Sequence, residues 1–186
     1  AVKRAAAANI TPLAQGVGDR PYPGAYFLQE QLLQKLGMDD YRALLTGKLS
    51  FKDPRVVETM TWVKQLVDGG LYPKSFATLK LGESHYYFHT NPGALMFPIA
   101  SWYTGRAFVP PEKGGQPKDF SLGVMKYPAA AGAKCPECKT LAVGGSYVIY
   151  ARSKSKECAG KVLASLATME NGNKWMEGVL LQTGVK

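Results

Sequence analysis

Apolar positions recur with helical spacing over much of the chain and break at turn residues. Leu28, Leu32 and Leu36 form one stripe with Leu33 beside it. This predicts a helix over Ala25–Leu36 that stops at Gly37. Asp39 or Asp40 is placed to cap a shorter helix through Leu45. Asp53-Pro54 is a strong start signal, with Asp as N-cap and Pro at the first helical position. Val56, Met60, Val63 and Val67 follow on one face, Trp62 lies off that face as a packing residue, and Gly69-Gly70 ends the helix. Ala1–Asn9 reads as the end of a helix, with Asn9 as its stop. Further helices are expected over Glu83–Phe88, from a Ser153 cap through Val162, Leu163 and Leu166, and around Trp175, Met176, Val179 and Leu180.

Shorter apolar runs lie between these helices. Ile10–Ala14, Gly93–Ile99, Phe120–Met125 and Leu141–Ala151 are bounded by Gly, Pro and Asn and read as strands. Strands alternating with helices define an α/β class. The Gly93–Ile99 run reads as a buried strand that delivers Ser101, Trp102 and Tyr103 to its end, where open α/β sheets bind ligands. Ile10–Ala14 leads into a loop, Gln15–Gly24, that carries Asp19, Arg20 and Tyr22. Gly144 and Gly145 sit inside the last strand, which marks a bulge or a close backbone approach.

Composition refines this picture. The 186 residues suit one domain, and no apolar run approaches the ~18 residues that span a bilayer. The formal charge of +9 is spread along the chain without a dense run, which argues for a solvated basic surface and against nucleic-acid binding. No secretory signal is visible at the start, which has no Met and falls within a helix pattern; the chain is expected to be a fragment.

Cys135-Pro136-Glu137-Cys138 has three readings. Half of a zinc site would need further ligands, and only Cys158, His85 and His89 remain. A redox pair usually opens a helix after a strand, whereas this motif follows a small-residue loop. A loop-stapling disulfide is preferred and implies an oxidising compartment. Cys158 reads as a small buried hydrophobe on a helix. His85 and His89, four apart, share a helix face near Glu83 but match no metal motif, so no metal or cofactor is expected. No Ser–His–Asp, paired-carboxylate or phosphate-loop arrangement is present. Thiol–disulfide chemistry at Cys135 and Cys138 is thus the one enzymatic alternative to a binding module.

The order of the segments Ile10–Ala14, Phe51–Glu58, Leu66–Leu71, Gly93–Met96 with Ser101-Trp102, Phe120–Pro128, and Gly144-Gly145 before Ser153–Ala159 resembles the extracellular solute-binding proteins of ABC importers. The likeness is to the sugar-binding family that includes the maltose-binding proteins. Departures include Asn91-Pro92 where a Gly-Lys pair is usual, and the CxxC itself. The resemblance implies a periplasmic-binding-protein-like (type II) lobe, an open mixed sheet flanked by helices. Residues 1–140 would form a C-terminal-type ligand-binding lobe, incomplete at its start. Residues 141–186 would form a crossover strand and helices that pack on a missing N-terminal lobe.

It further implies a non-catalytic protein, periplasmic or anchored outside the cell. A sugar or related polar solute would be captured in an interlobe cleft, with membrane permease subunits as partners. The ligand-binding residues it points to are Trp102, as a stacking face, with Tyr103, Asp19, Arg20, Tyr22, Gly144, Gly145, Ser146 and Tyr147. A core role for Trp102, a solvated turn for Asp19, Arg20 and Tyr22, and a simple hinge turn for the glycines stand beside these roles. Arg106 reads as a solvent-facing side chain. The positive charge and Arg20 keep open an anionic solute such as a glycerol phosphate. With half the cleft absent, the isolated chain is expected to bind weakly.

Overall fold

The computed structural model describes residues 2–89, 93–140 and 147–179. In the described residues a helix-rich chain carries a small parallel sheet, an α/β arrangement. Helix α1 (Val2–Ala7) ends at Asn9, whose φ of 56° is the left-handed stop. Strand β1 (Thr11–Leu13) follows. A π-helical turn (Gly24–Leu28) runs directly into α2 (Gln29–Leu36), which Gly37 ends at φ 76°. Helix α3 (Met38–Leu45) begins one residue later, so Asp39 and Asp40 sit in its first turn rather than capping it.

Helix α4 (Pro54–Asp68) starts as expected, because the Asp53 side chain accepts a hydrogen bond from the Arg55 N–H at 2.9 Å. Its buried face differs from expectation: Met60 is exposed, and Thr59 is buried with Val56. The Thr59 hydroxyl donates to the Arg55 carbonyl at 2.8 Å. Its polar atom is thus satisfied within the helix, and the residue can face the interior.

Helix α5 (Leu81–His89) is followed by β2 (Ala94–Met96), which pairs in parallel with β1 in the register Thr11 to Ala94 and Leu13 to Met96. Parallel strands need a long crossover, and residues 14–93 supply it. The expected burial of β2 is not found. Leu95 is 63% exposed and Met96 is also exposed. Among the described residues β2 has a neighbour strand on one side only.

The chain divides into two compact units, residues 1–100 with 116–140, and residues 101–115 with 141–186. In the first unit Leu32, Leu33, Leu36, Tyr41, Leu44 and Val56 form one buried cluster and Leu13, Phe27 and Leu71 another. Trp62 stacks on Phe27 with centroids 6.3 Å apart, the packing role expected of it.

The second unit holds a 3-10 turn (Ser101–Tyr103), the short α6 (Thr104–Ala107), a 3-10 turn (Pro111–Lys113), α7 (Lys156–Leu166) and α8 (Met169–Val179). Ser155, not Ser153, is the N-cap of α7, and the Ser153 hydroxyl accepts the Ser155 N–H at 3.2 Å. Phe120–Met125 is not a strand; Val124 is 93% exposed, and among the described residues no strand pairs with this run. Tyr147–Ala151 is likewise irregular, and the rest of that expected strand, 141–146, lies outside the described residues.

Candidate functional site

β1 and β2 end side by side, and the chain leaving β1 forms a shelf across their carboxyl ends. Ala14 donates its N–H to the Met96 carbonyl at 2.8 Å. Gln15 is buried, and its amide nitrogen donates to the Pro98 carbonyl. Val17 and Gly18 donate to the carbonyls of Phe76 and Leu79 at 2.9 and 3.0 Å. Gly16 is glycine for a steric reason: a Cβ there would lie 2.2 Å from the Leu79 carbonyl oxygen. The loop is therefore pressed onto residues 76–79 and held by backbone hydrogen bonds.

Asp19 ends the shelf by accepting the Leu81 N–H at 2.9 Å. This satisfies one of the orphan donors at the start of α5. Glu83 does the same for Lys80 at 2.8 Å, so both acidic groups sit where the helix dipole favours them. Arg20 is exposed and Tyr22 half-buried, with the Tyr22 ring 5.1 Å from that of Tyr26. Tyr26 in turn accepts the Tyr127 hydroxyl on its carbonyl, and burial pushes the Tyr127 phenol above its ordinary range. A guanidinium and an aromatic face thus lie within three residues, on a shelf anchored at Asp19.

In the second unit Trp102 is half-buried on the 3-10 turn. The Thr104 hydroxyl closes that turn on the Ser101 carbonyl at 3.0 Å. Tyr103 is buried, and that burial pushes its phenol up to about 12. Tyr147 is exposed and Arg106 is exposed as expected; Gly144, Gly145 and Ser146 lie outside the described residues.

Cys135 and Cys138 form a disulfide. Cys158 is exposed on α7 rather than buried, because the described part of that helix has no buried face. His85 and His89 are buried on one face of α5 among aromatic rings: His85 lies 5.3 Å from Phe97, and His89 lies 6.2 Å from Phe120. Among the described residues no group of three His, Cys, Asp or Glu side chains gathers to hold a metal ion, and no helix is long and apolar enough to cross a membrane. A groove of about 440 Å³ between α1 and α4, lined by Lys3, Trp62, Gln65 and Asp68 among others, contains none of the expected ligand residues.

Sequence reasoning missed Gln15 and Glu30. Both are buried polar residues in stretches that read as loop or as the solvated side of a helix, and only the hydrogen bonds to distant residues distinguish them.

No protein-family profile matches the chain. No curated protein sequence matches it either. Among solved structures it shares its fold with a chain from a study of xylan utilization by the thermophilic bacterium Caldanaerobius polysaccharolyticus, at 24% identity and TM-score 0.52 over 56% of this chain and 26% of that one. A chitin oligosaccharide binding protein aligns at 28% identity and TM-score 0.49, with the same two coverages. This chain therefore spans about a quarter of the length of the solved chains it matches.

Proposed function

We propose that this chain is part of a solute-binding protein serving an ABC importer, and that its ligand is a saccharide or related polar solute. The observation that carries this reading is the shelf from Gln15 to Tyr22 across the ends of β1 and β2, in a fold shared with a chain studied for xylan utilization. A pyranose offers flat C–H faces and a rim of hydroxyls. An aromatic face such as that of Tyr22 suits the first, and the donors of Arg20 suit the second; Trp102, in the second unit, offers a further aromatic face of its own.

In this reading the chain belongs to a type II lobe and its crossing segment, and the ligand enters a cleft completed by a second lobe. Hinge closure traps the ligand and the closed form docks on the membrane permease. The protein binds and releases without making or breaking a bond, so it is not an enzyme. The Cys135–Cys138 disulfide supports a location outside the cytoplasm.

The test is calorimetric titration of the complete gene product with xylo-, malto- and chito-oligosaccharides. The expected result is saturable binding that Trp102→Ala weakens about tenfold, the scale of one lost stacking contact. Absence of binding across the neutral panel, with binding of a sugar phosphate, would overturn the saccharide reading.

A further inference from the structure

Residues 134–140 are fastened to α2 and α3 just before the chain passes into the second unit at 141. The Lys134 ammonium meets the Asp40 carboxylate at 3.1 Å. Cys135 donates its N–H to the Gln34 carbonyl at 3.0 Å. Cys138 packs against the cluster of Leu32, Leu33 and Leu36. Thr140 then donates its N–H to the Glu30 carboxylate at 2.8 Å, and its hydroxyl donates to the same oxygen. Glu30 and Gln34 lie four residues apart on α2 and therefore share a face. Glu30 is buried, and a single oxygen of its carboxyl group receives both Thr140 hydrogen bonds, which tie residue 140 to α2. Between these anchors the disulfide closes residues 135–138 into a tight ring.

We propose that Glu30 and the Cys135–Cys138 bridge form a redox-sensitive clasp that holds Thr140 on α2. With the ring closed, the segment between the Cys135 and Thr140 anchors has less conformational freedom, and those anchors meet α2 one turn apart, at Gln34 and Glu30. A dithiol reductant opens it. The Cys135–Cys138 sulfur–sulfur bond takes two electrons, each sulfur gains a hydrogen, and the reductant's own two sulfurs join as a disulfide. The opened segment gains conformational freedom, and the Thr140 hydrogen bonds to Glu30 are lost. The consequence for solute capture rests on the lobe reading above: a loosened clasp lowers the saccharide affinity of the complete protein.

Amide hydrogen exchange on the full chain, oxidised and after reduction, tests this. The peptide Lys134–Thr140 is expected to exchange about tenfold faster when reduced while the amides of α2 keep their protection. Cys135→Ser with Cys138→Ser is expected to reproduce the effect. Glu30→Ala is expected to reproduce it in the oxidised protein, and Glu30→Gln, which keeps an acceptor oxygen, restores the protection. Unchanged exchange at Lys134–Thr140 on reduction overturns the clasp, as does acceleration shared equally by α2, which signals general unfolding. Saccharide affinity of the complete gene product is expected to fall on reduction. Equal affinity in both redox states overturns the link to capture, whereas no saccharide binding even when oxidised defeats the lobe reading and leaves the exchange result standing.

Discussion

The carboxylate of Asp19 accepts the backbone N–H of Leu81 at 2.9 Å, joining the end of the β1 loop to the first turn of α5 across 62 residues. Asp19 thus holds a hydrogen-bonded position at the start of α5. Asp19→Ala is expected to cost about 1 kcal/mol, the usual value of a lost helix cap, while Asp19→Asn keeps an oxygen acceptor and costs less. Urea denaturation of the two variants checks this. Equal loss in both would mean that the charge, rather than the hydrogen bond, is what matters at this helix end.

Arg55 bridges two carboxylates. Its guanidinium meets Asp53 at 3.0 Å and Asp40 at 2.6 Å, and Lys134 adds a second cation at Asp40. The Arg55 hydrogen bond, the largest cause at both, holds Asp40 and Asp53 below their ordinary value of 3.8. A carboxylate depressed in the folded state adds stability that is present above its unfolded value and is lost as pH falls through its folded one. Unfolding followed by circular dichroism is therefore expected to show stability falling below about pH 4. Arg55→Met should flatten that fall; an unchanged slope would show that the pairs are too well solvated to contribute.

The shelf depends on backbone contact at Gly16, where an added Cβ would meet the Leu79 carbonyl oxygen. Gly16→Ala is expected to destabilise by about 1–3 kcal/mol, the range for forcing atoms into a packed site. Gly82, inside α5, is the opposite case, because nothing lies within 4 Å of its Cβ direction. Gly82→Ala is expected to gain up to about 1 kcal/mol from helix propensity. Parallel denaturation curves for the two variants test both signs at once.

What was legible in the sequence was what local chemistry determines. Asp53 caps the helix that Pro54 opens, Gly37 and Gly69 end their helices, and Cys135 reaches Cys138, all within a few residues. What was not legible depends on partners far along the chain. Val124 and Met125 belong to an apolar run that fits a strand, yet no strand among the described residues pairs with it, and both stay exposed. Gln15 and Glu30 look like surface residues until Pro98 and Thr140 arrive to receive or donate their hydrogen bonds. For the candidate site, the positions of Asp19, Arg20 and Tyr22 on one loop could be read, but the capping role of Asp19 could not, since Leu81 is remote in sequence.

The second unit makes the last prediction. Val162 and Leu166 lie one turn apart on α7, and Met169, Trp175 and Met176 on α8; all are exposed. Helices of this length normally bury an apolar stripe, and exposed apolar patches bind other surfaces or dyes. The chain alone is therefore expected to enhance the fluorescence of an anilinonaphthalene dye under native conditions. Val162→Lys with Met176→Glu should reduce that signal while leaving the unfolding of the first unit unchanged. If the lobe reading is right, a longer gene product carrying the second lobe should bind little dye without any substitution. Strong dye binding by the longer protein would mean that these faces stay uncovered and that the packing expected of 141–186 is wrong.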